Sequence, residues 1–196
     1  IPYSTSIMIR PIITRTWFAC LAGMLLILGD HSVSMGADPN EYILSNGMKV
    51  LLIEVPKAPV ATVQVWYKVG SRNEVMGRAG LSHMLEHMMF KGTARYPKGS
   101  FSRIIRKNGG IDNAFTGQDF TAYFENVAAD RVGLALELEA DRMQGLLLDH
   151  GEFQTERDVV KEERRLRSED DPQGALVEAL FAQVFMSHPY HWPVIG

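Results

Sequence analysis

The chain has 196 residues, of which 46% are apolar, and this composition is typical of a globular protein rather than a disordered one. Its 20 basic and 23 acidic residues leave a formal net charge of −3. The sequence has no Lys/Arg tract that could follow a phosphate backbone, so we expect no nucleic acid partner. One main domain is predicted for a chain of this length.

The first 37 residues differ in character from the rest of the chain. Residues 1–7 precede Met8 and are interpreted as upstream flanking sequence. Residues 8–37 contain two arginines, then an apolar run at 17–28, then small residues, which is the order of a bacterial-type signal peptide. The run is shorter than the roughly 20 residues that span a bilayer. We therefore predict export to the periplasm or the medium, with an uncleaved membrane anchor as the alternative.

The sole cysteine, Cys20, lies inside that apolar run. If residues 1–37 are removed, the mature chain has no disulfide and no thiolate that could act as a nucleophile or a metal ligand. Any metal site in residues 38–196 must then be built from histidines and carboxylates.

Residues 38–196 show strand and helix patterns in blocks rather than in strict alternation, which predicts an α+β fold with an antiparallel or mixed sheet packed against helices. Asn46-Gly47 predicts the turn of a first hairpin, and Ser100 is a possible helix cap. In chain order, we predict strands at 42–44, 48–55 and 60–69, helices at 80–90 and 97–105, strands at 111–115 and 120–127, and helices at 129–148, 152–167 and 175–186.

The first predicted helix contains the motif H-x-x-E-H, formed by His83, Glu86 and His87. At about 100° per residue, the two histidines lie only about 40° apart on one face of the helix. They can therefore converge on one metal ion, with Glu86 on the same side. A solvated histidine pair without a ligand role is the alternative. The opposite side, which we expect to pack against the core, carries Leu81, Met84, Leu85 and Met88.

A catalytic zinc needs one more protein ligand than these two histidines. In the helix predicted at 152–167, Glu156 and Glu163 fall within an apolar stripe, although glutamate is rarely buried unless it is paired or bound to a metal. We therefore predict Glu163 as the third ligand and Glu156 as the acceptor of a hydrogen bond from a ligand histidine. Two salt bridges to arginines are the alternative. The apolar stripe of the helix predicted at 152–167 is formed by Phe153, Val159 and Val160.

Three segments resemble the pitrilysin or insulinase-like zinc peptidases, in particular their bacterial processing-peptidase-like members. The segments are GLSHMLEHMMFKGT at 80–93, NAFTGQDFTAYFENV at 113–127 and ERDVVKEERRLRSEDDP at 156–172. The resemblance implies the α+β fold of the N-terminal domain of that family for residues 38–196. It also implies a zinc-dependent endopeptidase with one Zn²⁺ per chain.

The resemblance assigns a role to each candidate residue. His83, His87 and Glu163 would bind the zinc, and Glu86 would be the general base that activates the hydrolytic water. Asn113 and Ala114 would lie on an edge strand that pairs with the backbone of a peptide substrate. On local sequence alone, Asn113 is also compatible with a simple strand or turn position.

Members of this family consist of two halves, and the second half carries an Arg/Tyr pair that assists at the substrate carbonyl. We therefore expect residues 38–196 to be truncated at the C-terminus and to need a second half or a homologous subunit for full activity. Two alternatives are a non-catalytic homologue that binds peptides or assists a partner subunit, and a purely structural zinc. The remaining histidines of residues 38–196, His150, His188 and His191, are predicted to lie on the surface.

Overall fold

A computed structural model describes residues 39–196 of the chain, so the predicted flanking residues and signal peptide lie outside the described part. The described part of the chain splits into two compact units, which divide between Pro56 and Lys57. None of the helices in the described part is both long enough and apolar enough to span a membrane.

The first unit contains the hairpin that Asn46-Gly47 predicts. Strands β1, Asn40–Ile43, and β2, Lys49–Leu52, pair in antiparallel register. Gly47 has a φ of 84°, a left-handed conformation that glycine adopts without steric cost. The Asn46 side chain accepts a hydrogen bond from the backbone N–H of Met48, which closes the turn.

The second unit is built on a three-stranded antiparallel sheet. Its strands are β3, Val60–Tyr67, β4, Ile111–Thr116, and β5, Thr121–Ala128. The order β3-β5-β4 places β5 in the centre and β4 at an edge. Side chains of β3 alternate between exposed and half-buried, and Val63, Val65 and Tyr67 lie on the half-buried face.

The sheet packs against helices, which confirms the α+β class. The helices are α1, Leu81–Met88, α2, Ser100–Lys107, α3, Val132–Gly145, α4, His150–Arg164, and α5, Pro172–Val184. A π-helical turn, Arg165–Glu169, follows α4 directly, and a 3-10 turn, Pro189–His191, follows α5.

Three sequence-based expectations about the helices are wrong. Gly99, in a left-handed conformation, caps α2, and Ser100 is already its first helical residue. In α1, Met84 and Met88 are buried, but Leu81 and Leu85 are 56% and 47% exposed, because α1 packs with its other side against β4, β5 and α4. Val159 is also exposed and does not belong to the buried stripe of α4.

The core of the second unit lies between α2, α3 and the helix-facing side of β5. Its buried apolar side chains are Phe101, Ile105, Val127, Ala135 and Leu138.

A buried charged cluster interrupts this core. Glu125, Glu139 and Arg142 are each at most 2% exposed. Arg142 Nε donates to Glu139 Oε2 at 2.8 Å, and its Nη2 lies 3.5 Å from Glu125 Oε1. Burial, followed by the neighbouring Glu139 carboxylate, raises the pKa of Glu125 to about 9, so this carboxyl is protonated at neutral pH.

Candidate metal centre

The structure brings together the three residues predicted as metal ligands. His83 and His87 project from the same side of α1 with ring centroids 4.7 Å apart. Glu163 reaches them from α4, with its Oε2 atom 3.7 Å from His83 Nε2 and 3.4 Å from His87 Nε2. Potential ligand atoms of the three side chains all lie within 4.8 Å of one another. This is the arrangement that the helical phase of both segments predicts.

The donor set fits a zinc ion. Glu163 Oε2 is buried and has no hydrogen-bond partner among the described residues, although an unpaired buried carboxylate oxygen is costly. Two imidazole nitrogens face it, and two nitrogens and one carboxylate oxygen form a usual protein ligand set of catalytic zinc. A divalent cation at this position would satisfy all three atoms.

Burial keeps His83 in the form that binds metal. His83 is only 7% exposed. Burial lowers the pKa of His83 below its ordinary value, against the opposing effect of the Glu163 carboxylate. The neutral imidazole is the ligand form of histidine, so the environment favours metal binding over protonation.

Glu156 lies where the phase of α4 predicts, beside the outer nitrogen of His87. It is 7% exposed, and its Oε1 is 2.9 Å from His87 Nδ1. Its second oxygen, Oε2, forms an ion pair with Lys91. Burial alone would raise the pKa of Glu156, but the hydrogen bonds from Lys91 and His87 lower it below its ordinary value. A carboxylate in this position fixes the tautomer and orientation of a ligand histidine.

Lys91 is a site residue that the sequence reasoning missed. It follows the end of α1, and its side chain is mostly buried beside Glu156. The signal that could have identified it is the buried carboxylate itself, because a buried Glu requires a cation or several donors.

Glu86 does not take part in the ligand cluster but lies beside it on α1. Its Oε2 accepts a hydrogen bond from the hydroxyl of Thr116, the last residue of β4. Thr116 was also missed from sequence, since nothing in the spacing of residues 86 and 116 indicates that they meet.

A further residue missed from sequence, Glu74, positions α1. Its two carboxylate oxygens accept hydrogen bonds of 2.6 Å from the backbone N–H groups of Gly80 and Ser82 at the start of the helix. The free N–H groups and the positive end of the helix dipole both favour an anion there. This carboxylate therefore fixes the end of the helix that carries both histidines.

Asn113 and Ala114 lie on β4, the edge strand of the sheet. They pair on one side with Phe124 and Tyr123 of β5. The strand position of Asn113 is therefore established, and its side chain accepts a hydrogen bond from the backbone N–H of Ala114. Helix α1 contacts this strand, so the candidate metal centre lies next to the edge of the sheet.

The other histidines of residues 39–196 do not belong to the ligand cluster. His150 is the exposed first residue of α4. His188 accepts a hydrogen bond from the backbone of Tyr190, and His191 Nδ1 lies 3.0 Å from the carbonyl oxygen of Ala182. None of the three belongs to the group that could hold a metal ion in residues 39–196.

Known proteins share both the sequence and the fold. The family model described as Insulinase (Peptidase family M16) matches residues 49–196. The chain is 42% identical over 176 residues to zinc protease PqqE of Helicobacter pylori, covering 88% of this chain and 40% of that protein. It is 35% identical over 155 residues to an uncharacterized zinc protease, YmxG, of Bacillus subtilis, covering 79% of this chain and 38% of that protein.

A solved structure supports the same relationship. The crystal structure of a protease from Helicobacter pylori matches with a TM-score of 0.79 and 42% identity, over 82% of this chain and 39% of that one. The chain spans about 40% of the length of these relatives.

The match to the family model includes all three residues of the ligand cluster, as well as Glu86 and Glu156. The names of the relatives imply zinc as the metal, in agreement with the chemistry of the donor set. The resemblance carried by the three sequence segments is confirmed, and the chain belongs to the insulinase family of peptidases, family M16.

Proposed function

We propose that this chain is the catalytic part of a zinc-dependent endopeptidase that hydrolyses peptides or unfolded segments. The observation that carries the proposal is the buried, unpaired Oε2 of Glu163 facing the imidazoles of His83 and His87. The geometry offers one such cluster in the described part of the chain, so we propose one zinc per chain. Its ligands would be His83, His87 and Glu163.

Zinc held there would supply a Lewis acid that polarises the peptide carbonyl and favours ionisation of water. Glu86 is proposed as the general base, which takes a proton from the attacking water and passes it to the leaving amine. Glu156 holds the imidazole of His87 in its ligand orientation, and Lys91 holds Glu156.

Substrate binding is proposed at β4. A peptide that adds a strand beside Asn113 and Ala114 would form backbone hydrogen bonds, which recognise an extended chain with little regard to its side chains. Because α1 packs against β4, that peptide would lie beside Glu86 and the ligand cluster.

The remaining parts of the proposal concern the whole protein. Residues 8–37 are proposed as a signal peptide that directs the protein to the periplasm or the medium, unless they stay as an anchor. Residues 38–196 are proposed as the catalytic domain, which works with a second peptidase half or a homologous subunit.

Replacement of Glu86 by Gln tests the proposal in the full-length protein. E86Q keeps the shape of the side chain but removes the base, so we expect bound zinc to be retained and cleavage of a quenched peptide to be lost. Glu162→Gln is the matched control, because this exposed carboxylate on α4 pairs with Arg165 and not with the ligand cluster. Wild-type turnover by E86Q would refute the assignment of the base.

The same experiment separates the alternatives. A non-catalytic, peptide-binding homologue would bind peptide without cleaving it in the wild type and in both variants. A purely structural zinc would leave activity independent of Glu86.

A further inference from the structure

Thr116 connects the edge strand to the proposed general base. It is the last residue of β4, and its hydroxyl lies within hydrogen-bond distance of Glu86 Oε2. Glu86 lies 30 positions earlier, on α1, so this contact joins two elements that are distant in sequence. Within residues 39–196, no other side chain hydrogen-bonds to the carboxylate of Glu86.

The chemistry of the groups around Thr116 fixes the direction of this hydrogen bond. Thr121 Oγ1 lies 3.4 Å from Thr116 Oγ1 but only 3.0 Å from the carbonyl oxygen of Val69. A hydroxyl has one proton, and a carbonyl can only accept, so Thr121 donates to Val69. A carboxylate can likewise only accept, so Thr116 donates to Glu86.

We propose that Thr116 is a positioning residue for the general base, an inference that rests on the proposed function. The terminal torsion of a glutamate is broad, so an unrestrained carboxylate samples many orientations. The hydrogen bond holds Oε2 against β4 and leaves Oε1 as the oxygen that accepts the proton from water. The base is thereby oriented before substrate binds, which is a condition for efficient proton transfer.

The position of Thr116 also relates the base to the substrate. Ala114, proposed to pair with the peptide backbone, lies two residues earlier on the same strand. The same strand, β4, would therefore position both the bound peptide and the carboxylate of Glu86. Thr116 therefore sets the distance between the base and the peptide bond that is to be cleaved.

Two substitutions at this position, measured in the full-length, zinc-loaded protein, test the role. Thr116→Val keeps the shape and removes the donor, so we expect kcat for a quenched peptide to fall about 10- to 100-fold while KM changes less than about twofold. Thr116→Ser restores the donor and should keep kcat within about threefold of the wild type. Thr62→Val is the matched control, because Thr62 lies exposed on β3 and its hydroxyl bonds to Asn126 of β5 and not to Glu86.

Bound zinc and the thermal midpoint are measured for each variant, and both should stay at the wild-type value. A wild-type kcat in T116V would overturn the inference. Equal decreases of kcat in T116V and T116S would also overturn it, as would a change in KM without a change in kcat. A loss of bound zinc or of folding in T116V would do the same. A wild type that does not cleave, or an active E86Q, would contradict the proposed function instead. An inactive E86Q beside a fully active T116V would contradict the role of Thr116 alone.

Discussion

Replacement of Glu125 by Gln tests the electrostatics of the buried charged cluster. Glu125 is 0% exposed, and its carboxyl group lies beside Glu139 and Arg142. An unfolded chain releases the proton of this carboxyl near pH 4.5, whereas the folded protein holds it to about pH 9. Between these values this carboxyl binds one more proton in the native state than in the unfolded state, so its contribution to the free energy of unfolding falls as the pH rises.

The size of the effect follows from the same linkage. A difference of one bound proton changes the free energy of unfolding by at most about 1.4 kcal/mol per pH unit. Between pH 6 and pH 8 this carboxyl should therefore lower the free energy of unfolding of the wild type by up to about 2.8 kcal/mol. Glutamine has the shape of the neutral acid and no proton to release. E125Q should remove this dependence and should be more stable than the wild type at pH 8.

Urea unfolding at several pH values between 5 and 9 measures this difference. Glu137→Gln is the control, because Glu137 lies on α3 like Glu139 but is exposed and pairs with Arg95. We expect the stability of the wild type and of E137Q to decline across this range and that of E125Q to decline less. An equally steep decline in E125Q, or a less stable E125Q at pH 8, would refute the proposed protonation of Glu125.

Two further predictions concern residues that position the metal centre. Lys91→Met removes the cation that holds Glu156, and we expect zinc affinity, measured by competition with a chelator, to weaken about 10-fold; unchanged affinity would show that Lys91 does not support the centre. Glu74→Ala removes two hydrogen bonds to the start of α1, and the free energy of unfolding should fall by about 1–2 kcal/mol. Calorimetry that finds no loss in this variant would contradict the capping role of Glu74.

The ligand cluster could be predicted from sequence because the helical period alone fixes angular positions on a helix. His83 and His87 share one side of α1 whatever packs around them. Glu156 and Glu163, seven residues apart, likewise share one side of α4. Polar residues on a core-facing side require partners. This requirement predicts that α1 and α4 contribute to one common site.

Residues whose role depends on a contact between distant segments could not be predicted in this way. Thr116 meets Glu86, and Lys91 meets Glu156, only after β4, α1 and α4 have packed together. The same reason explains the wrong expectation for Leu81 and Leu85. Periodicity shows that they share a side of α1, but the neighbouring elements decide which side is covered.

Zinc bound per chain, measured for the purified wild type and for the Glu163→Gln and Glu162→Gln variants, tests the central claim most directly. The two glutamates are adjacent on α4, but Glu163 faces the imidazoles and Glu162 pairs with Arg165 on the surface. We predict one zinc per chain in the wild type and in E162Q, and loss of stoichiometric zinc in E163Q. Full zinc retention in E163Q, or a wild type that binds no zinc, would contradict the assignment of this centre.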